Sequence, residues 1–120
     1  MANEIYESIS FTARKNGAEI SIASSNQVTM TGDDLVSITQ VIGTTAELIS
    51  FGDITGAPGE VVIKNLDATN YIEIGGDSGL TVFKTKLLPG RFTVFQPSSA
   101  TLYAKANTAD VRVQIIATEI

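Results

Sequence analysis

Histidine, cysteine and tryptophan are absent from this chain of 120 residues. Without histidine or cysteine there is no Ser-His-Asp or Cys-His nucleophile, no thiolate zinc site and no disulfide brace. Charge is scarce as well: Asp, Glu, Lys and Arg make up 18% of the residues, against roughly 25% in ordinary soluble domains. What charge there is leans acidic, with 13 Asp and Glu against 8 Lys and Arg, a net of -5. Nucleic-acid binding by phosphate neutralisation needs a basic stripe. Arg14-Lys15 beside a turn, and Lys84 with Lys86 on one strand, do not make one and read as solvated surface. No apolar run approaches the roughly 20 residues that cross a bilayer as a helix. Met1-Ala2-Asn3-Glu4 has neither a basic nor an apolar segment of a secretory signal, so synthesis in the cytoplasm is expected. The mean hydropathy is positive, +0.19. In a small domain with so few charges, that favours a surface partly covered by neighbours over a merely Thr/Ser-rich exterior.

Short β-type runs broken by turn residues fill the rest. Ile5 to Ala13 alternates, with Ile5, Ile9, Phe11 and Ala13 on one face. Asn16-Gly17 then gives a type I′ hairpin signal before Ala18 to Ser24, whose Ile20 and Ile22 share a face. Ser24-Ser25-Asn26 is expected to end that strand, with a short run at Val28 and Met30 after it. Leu35 to Ile42 follows, with Val36, Ile38 and Ile42 inward, and then Ala46 to Phe51, where Ile49 and Phe51 favour strand over a helical turn. Beyond the Gly56-Ala57-Pro58-Gly59 loop come Glu60 to Leu66, Tyr71 to Ile74, Leu80 to Leu87, Arg91 to Gln96, Thr101 to Lys105 and Asp110 to Thr118. Pro89-Gly90 is a strong turn signal, of type II if the glycine takes positive φ. In the last strand Val111, Val113, Ile115 and Ala117 face one way and Arg112, Gln114, Ile116 and Thr118 the other. Turns every 8 to 12 residues or so with period-two alternation predict an all-β fold. The expected form is an antiparallel β-sandwich, jelly-roll or immunoglobulin-like, forming a single domain over residues 1–120.

Few constellations remain that could carry chemistry. Ser78 and Lys84 could be imagined as a Ser-Lys pair, but nothing marks that serine as activated. Asp33, Asp34, Asp53, Asp67 and Asp77 could supply paired carboxylates, yet all fall in predicted turns, where Asp serves the backbone. Gly32-Asp33-Asp34 and Gly75-Gly76-Asp77-Ser78-Gly79 offer oxygen ligands without following the helix-loop-helix calcium pattern. The second is also no phosphate cradle, lacking the Lys-Ser/Thr of a P-loop. Tyr6, Tyr71 and Tyr103 oppose the apolar stripes and could form a sugar-binding platform, although packing at a sheet surface or subunit contact is the simpler role. Phe83, Phe92 and Phe95 read as core or interface. No catalytic, cofactor-binding or metal-ligating residue is assigned, and no cofactor, nucleic acid or membrane is expected as a partner.

A longer pattern runs through the second half. Val61-Val62-Ile63-Lys64-Asn65-Leu66 leads through Asp67-Ala68-Thr69-Asn70 to Tyr71-Ile72-Glu73-Ile74-Gly75. Phe83, Leu87-Leu88-Pro89-Gly90-Arg91 and Leu102-Tyr103-Ala104-Lys105-Ala106 follow, and Ile42 to Glu47 with Phe51-Gly52-Asp53 precede. This grammar, spanning roughly Val41 to Ile120, resembles small β-rich structural virion proteins of tailed bacteriophages. The resemblance implies a non-enzymatic virion component, first of all a capsid decoration or cement protein that binds the shell. The alternatives are an accessory protein of the neck or tail, or a carbohydrate-binding module for host attachment. The implied partners are the major capsid protein or other virion proteins, together with further copies of the chain, with a trimer as the expected homo-oligomer. Such proteins act through surfaces, so the resemblance carries over no functional residues. The strands expected to lie outermost, Ile5 to Ala13 and Asp110 to Thr118, are long enough for edge-to-edge pairing between copies.

Overall fold

A computed structural model describes residues 4–119. Among the described residues all ten elements are strands, and every pairing between them is antiparallel. The all-β expectation is met. The chain divides into two compact units, one ending at Thr31 and the other starting at Gly32. Where one sandwich over residues 1–120 was expected, the sandwich occupies the second unit alone. The first is a separate two-stranded hairpin.

The hairpin consists of β1 (Ile5–Lys15) and β2 (Ala18–Val28), paired over eleven rungs from Ile5 opposite Val28 to Lys15 opposite Ala18. Asn16 (φ 53°) and Gly17 (φ 81°) turn the chain, the two positive values that a type I′ turn demands. Met30 N–H donates to a Glu4 carboxylate oxygen at 3.0 Å, tying the ends of this unit together. The strand passes through Ser24-Ser25-Asn26, where a break was expected, and Val28 is its last residue. These polar residues are exposed. A ribbon with solvent on both sides has no core-facing phase for them to violate, so cross-strand register, not burial, sets its length.

The second unit holds two four-stranded sheets. One has the order β3 (Leu35–Ile42), β10 (Val111–Thr118), β5 (Val61–Asn65), β8 (Phe92–Phe95). The other runs β4 (Glu47–Leu48), β9 (Tyr103–Ala106), β6 (Ile72–Gly75), β7 (Lys84–Leu87). Alternate residues of both sheets meet in one apolar cluster. Ile42, Val61, Ile63, Val113 and Ile115 come from the first sheet, and Ile72, Ile74, Leu87, Ala104 and Ala106 from the second. In β10 Val111, Val113, Ile115 and Ala117 are all buried, as their alternation requires. The strand is nevertheless not outermost. It lies between β3 and β5, so its backbone edges are already paired and cannot add to another copy. The edge strands of this unit are β3, β4, β7 and β8; the last three are only two to four residues long, which limits edge pairing there, while β3, with eight, is the long edge.

Two elements are shorter than their patterns suggest. Of Ala46 to Phe51 only Glu47–Leu48 is strand; Ile49 and Phe51 instead drop into the core, with Ile49 N–H donating to Leu102 O at 2.8 Å. Leu80 to Leu87 begins as strand only at Lys84. Leu80 sits at φ 55° and is buried, whereas Val82 is 72% exposed, so the two do not share a face. The cause is local: Asp77 accepts hydrogen bonds from Thr81 N–H (2.6 Å), Thr81 Oγ1 (2.6 Å) and Val82 N–H (3.0 Å), winding this stretch into a loop. Gly75 lies beneath it, where a Cβ would stand 2.6 Å from the Phe83 carbonyl oxygen. The Pro89-Gly90 turn forms as read, with Gly90 at φ 74° and Arg91 N–H donating to Leu88 O at 3.0 Å.

Candidate interaction surfaces

Of the residues considered for chemistry, Asp67 and Asp77 are the ones whose carboxylates hold turns together. Asp67 accepts from Asn70 N–H (2.6 Å) and from Thr69 N–H (3.0 Å), closing the turn between β5 and β6. Asp77 closes the loop before β7. Asp33 N–H donates to a Glu119 carboxylate oxygen at 3.0 Å, and Gly32 packs against the same side chain. The Lys84 ammonium lies 3.4 Å from a Glu73 carboxylate oxygen, and Ser78 belongs to the Asp77 loop. Among the described residues no group of three or more His, Cys, Asp or Glu is placed to hold a metal ion.

The turn carboxylates give the fold an acid sensitivity. Asp77 is held below the ordinary carboxylate value chiefly by the Thr81 hydroxyl, then by the Val82 and Thr81 amides. The Asn70 amide, then that of Thr69, does the same for Asp67. Both shifts are downward. Their stabilisation is therefore complete above the unfolded aspartate pKa of about 3.9 and is lost as the pH falls through the lower folded-state values. Urea midpoints of the wild-type protein should hold from neutrality to about pH 5 as far as these groups are concerned, then drop below about pH 4. The D67N/D77N double variant should drop less steeply over that acid range. An identical acid limb in the variant would contradict the assignment.

Tyr6 is in the hairpin, while Tyr71 and Tyr103 share the outer face of the second sheet. Between those two lies the Glu73–Lys105 cross-strand pair, and the Lys86 ammonium sits 4.5 Å over the Tyr71 ring. That face is charged and mixed. Elsewhere in this unit an open depression of about 410 Å³ is lined by Val41, Leu66, Asp67, Asp110 and Arg112.

Two apolar surfaces stand out. On the outer face of the first sheet Ile116, Val62 and Val94 line up in register across β10, β5 and β8. Phe92 extends the row along β8 and is 66% exposed; Phe95, on the opposite face, packs against the core. The second surface is one face of the hairpin, where Ile9, Phe11, Ile20 and Ile22 are each more than half exposed. The opposite hairpin face carries Ser8, Ser10, Thr12, Ser21 and Ser25, with Arg14 paired to Glu19 near the tip. The hairpin stripe was legible from alternation. The sheet row was not, although its signal was present: Ile116 is an apolar residue in the polar phase of β10, and Val61-Val62-Ile63 must send one of three apolar side chains outward.

No family model, no curated protein and no solved structure matches this chain.

Proposed function

We propose that this chain is a non-enzymatic structural protein of a bacteriophage virion, a decoration or cement subunit that binds the capsid shell and self-associates. One observation carries the reading. The molecule has two exposed apolar β surfaces, the Ile116–Val62–Val94–Phe92 row and the Phe11–Ile22 hairpin face, on a chain with few charges to keep it wet. Surfaces of this kind favour burial against flat protein partners, and repetition over a shell multiplies weak contacts into strong retention. The resemblance of the Lys64 to Tyr71 turn and its flanking strands to phage virion proteins supplies the setting.

Mass spectrometry of purified particles from an infected host tests the proposal directly. The chain is expected at many copies per particle, and purified protein should bind saturably to shells that lack it. Replacing Phe92 and Val94 together by serine should weaken that binding at least tenfold, since each large apolar side chain contributes about 1.5 to 3 kcal/mol when fully buried. Particles free of the chain would end the reading. A few copies per particle, with no binding to bare shells, would move it from the shell to the neck or tail. Saturable sugar binding lost on replacing Tyr71 or Tyr103 would favour host attachment instead.

A further inference from the structure

We infer that the apolar face of the β1–β2 hairpin is an interface between two copies of this chain, stacked face to face and antiparallel about a two-fold axis through the Phe11–Ile22 rung. The inference rests on the reading of the chain as an assembly protein and names the partner of one of its surfaces. A two-stranded ribbon cannot cover its own apolar face, and an isolated hairpin is at best marginally stable in water. Eleven rungs with Ile9, Phe11, Ile20 and Ile22 exposed therefore call for a cover.

The charges on that face select the occupant. Register places Glu7 opposite Asn26 and Lys15 opposite Ala18, on the same side of the ribbon as Phe11 and Ile22. Glu7 and Lys15 are equidistant from Phe11, one toward each end of β1. A two-fold axis across the Phe11–Ile22 rung lays β1 antiparallel over the β1 of the second copy. Phe11 then meets Phe11, and each Glu7 meets a Lys15, so both ends are charge-complementary. Stacking in a parallel bundle around a threefold axis along the ribbon would instead gather like charges, Glu7 with Glu7 and Lys15 with Lys15. The residues between the two charged positions, Ile9, Phe11, Ala13, Ile20 and Ile22 with one Ser24, carry no charge, so the charges set the sense, and only the antiparallel stack brings opposite signs together.

Size sets the expected strength. Eleven residues at about 3.4 Å make a ribbon about 37 Å long and, for two strands, about 10 Å wide. Stacking two such faces buries about 700 Å², roughly half a standard interface of about 1,600 Å². The pair should therefore be weak in dilute solution and effective where copies are held side by side.

Sedimentation equilibrium of the full chain at low ionic strength, up to about 1 mM, tests this. A reversible two-chain species is expected. E7K and K15E should each weaken it about tenfold, and the E7K/K15E double variant should restore it, because the reversed charges again face each other. F11S should abolish it, while Y6S, on the other face, should leave it unchanged. Circular dichroism of each variant reports whether the hairpin is retained, and the charge pair reads the interface where F11S does not fold. A monomer throughout, a three-chain species, or a dimer indifferent to both charge reversals would overturn the inference. A dimer that persists in F11S would place pairing at the strand edges and overturn it too. None of these results bears on whether particles contain the chain, so the two proposals fail separately.

Discussion

Replacing Asn65 by alanine is expected to cost the sandwich about 3 to 4 kcal/mol, read as a fall in its urea midpoint with an unchanged slope. Among the described residues Asn65 is the one buried polar side chain, fully inaccessible at the end of β5. Its Nδ2 donates to Leu87 O and Asn70 O, each at 3.0 Å, and its Oδ1 accepts from Asp67 N–H at 2.8 Å. Leu87 belongs to the opposite sheet, so one amide joins the two layers and the turn that connects them. Alanine deletes all three bonds, leaving the buried Leu87 carbonyl and the partly buried Asn70 carbonyl and Asp67 amide without this partner, and each buried polar group left unsatisfied costs about 1 to 3 kcal/mol. Aspartate is the sharper probe. At neutral pH N65D sets a buried carboxylate against two carbonyl oxygens that need donors, and its loss should exceed that of N65A. Acidification below the raised carboxyl pKa should recover part of it, because the protonated form can again donate one bond. An N65A variant within about 0.5 kcal/mol of wild type would mean that the amide bridge is not structural.

Asn65 also marks where the sequence stops being readable. As one residue of Lys64-Asn65-Leu66 it reads as turn chemistry, and its side chain does cap the turn, through Asp67 N–H. That it also spans the sheets depends on β7 arriving from the other layer, which no local pattern encodes. The elements that were legible share one property: their geometry is set within a few residues. The alternation of β10, the Asn16-Gly17 hairpin and the Pro89-Gly90 turn are of this kind. Sheet order is not. β10 reads the same whether it is an edge or a centre, because alternation reports which face is buried and nothing about which strands flank it. Leu80 fails for a related reason. Its apolar side chain looks like the start of a strand, but the Asp77 carboxylate binds the amides of Thr81 and Val82 and holds that stretch out of the sheet.

The candidate surfaces divide along the same line. The hairpin stripe is a local alternation, and the sequence shows it; only its isolation from a core is new. The row on the first sheet is assembled from β5, β8 and β10, which are distant in sequence, so it exists only once the strand order is known. Its members are ordinary strand residues one at a time. Side by side they form a contiguous apolar patch, and it is contiguity rather than composition that makes a surface adhesive.

Adjacent residues on β10 therefore separate folding from assembly. Replacing Ile115 by alanine is expected to destabilise the sandwich by about 3 to 4 kcal/mol, the range for removing a buried branched side chain and leaving a cavity. Ile115 is completely buried, lies opposite Ile38 on one neighbouring strand and Ile63 on the other, and belongs to the core that both sheets share. Replacing Ile116, which is 38% exposed on the outer row beside Val62, should cost less than about 1.5 kcal/mol, because its partial burial already limits the area lost. The order should reverse for attachment to a shell: I116A should weaken binding, while I115A should leave the affinity of the folded fraction unchanged. Equal losses of stability would mean that β10 can slip by one residue, which exchanges its two faces. The long pairings to β3 and β5 make such a slip expensive, since it would turn Arg112, Gln114 and Thr118 into the core.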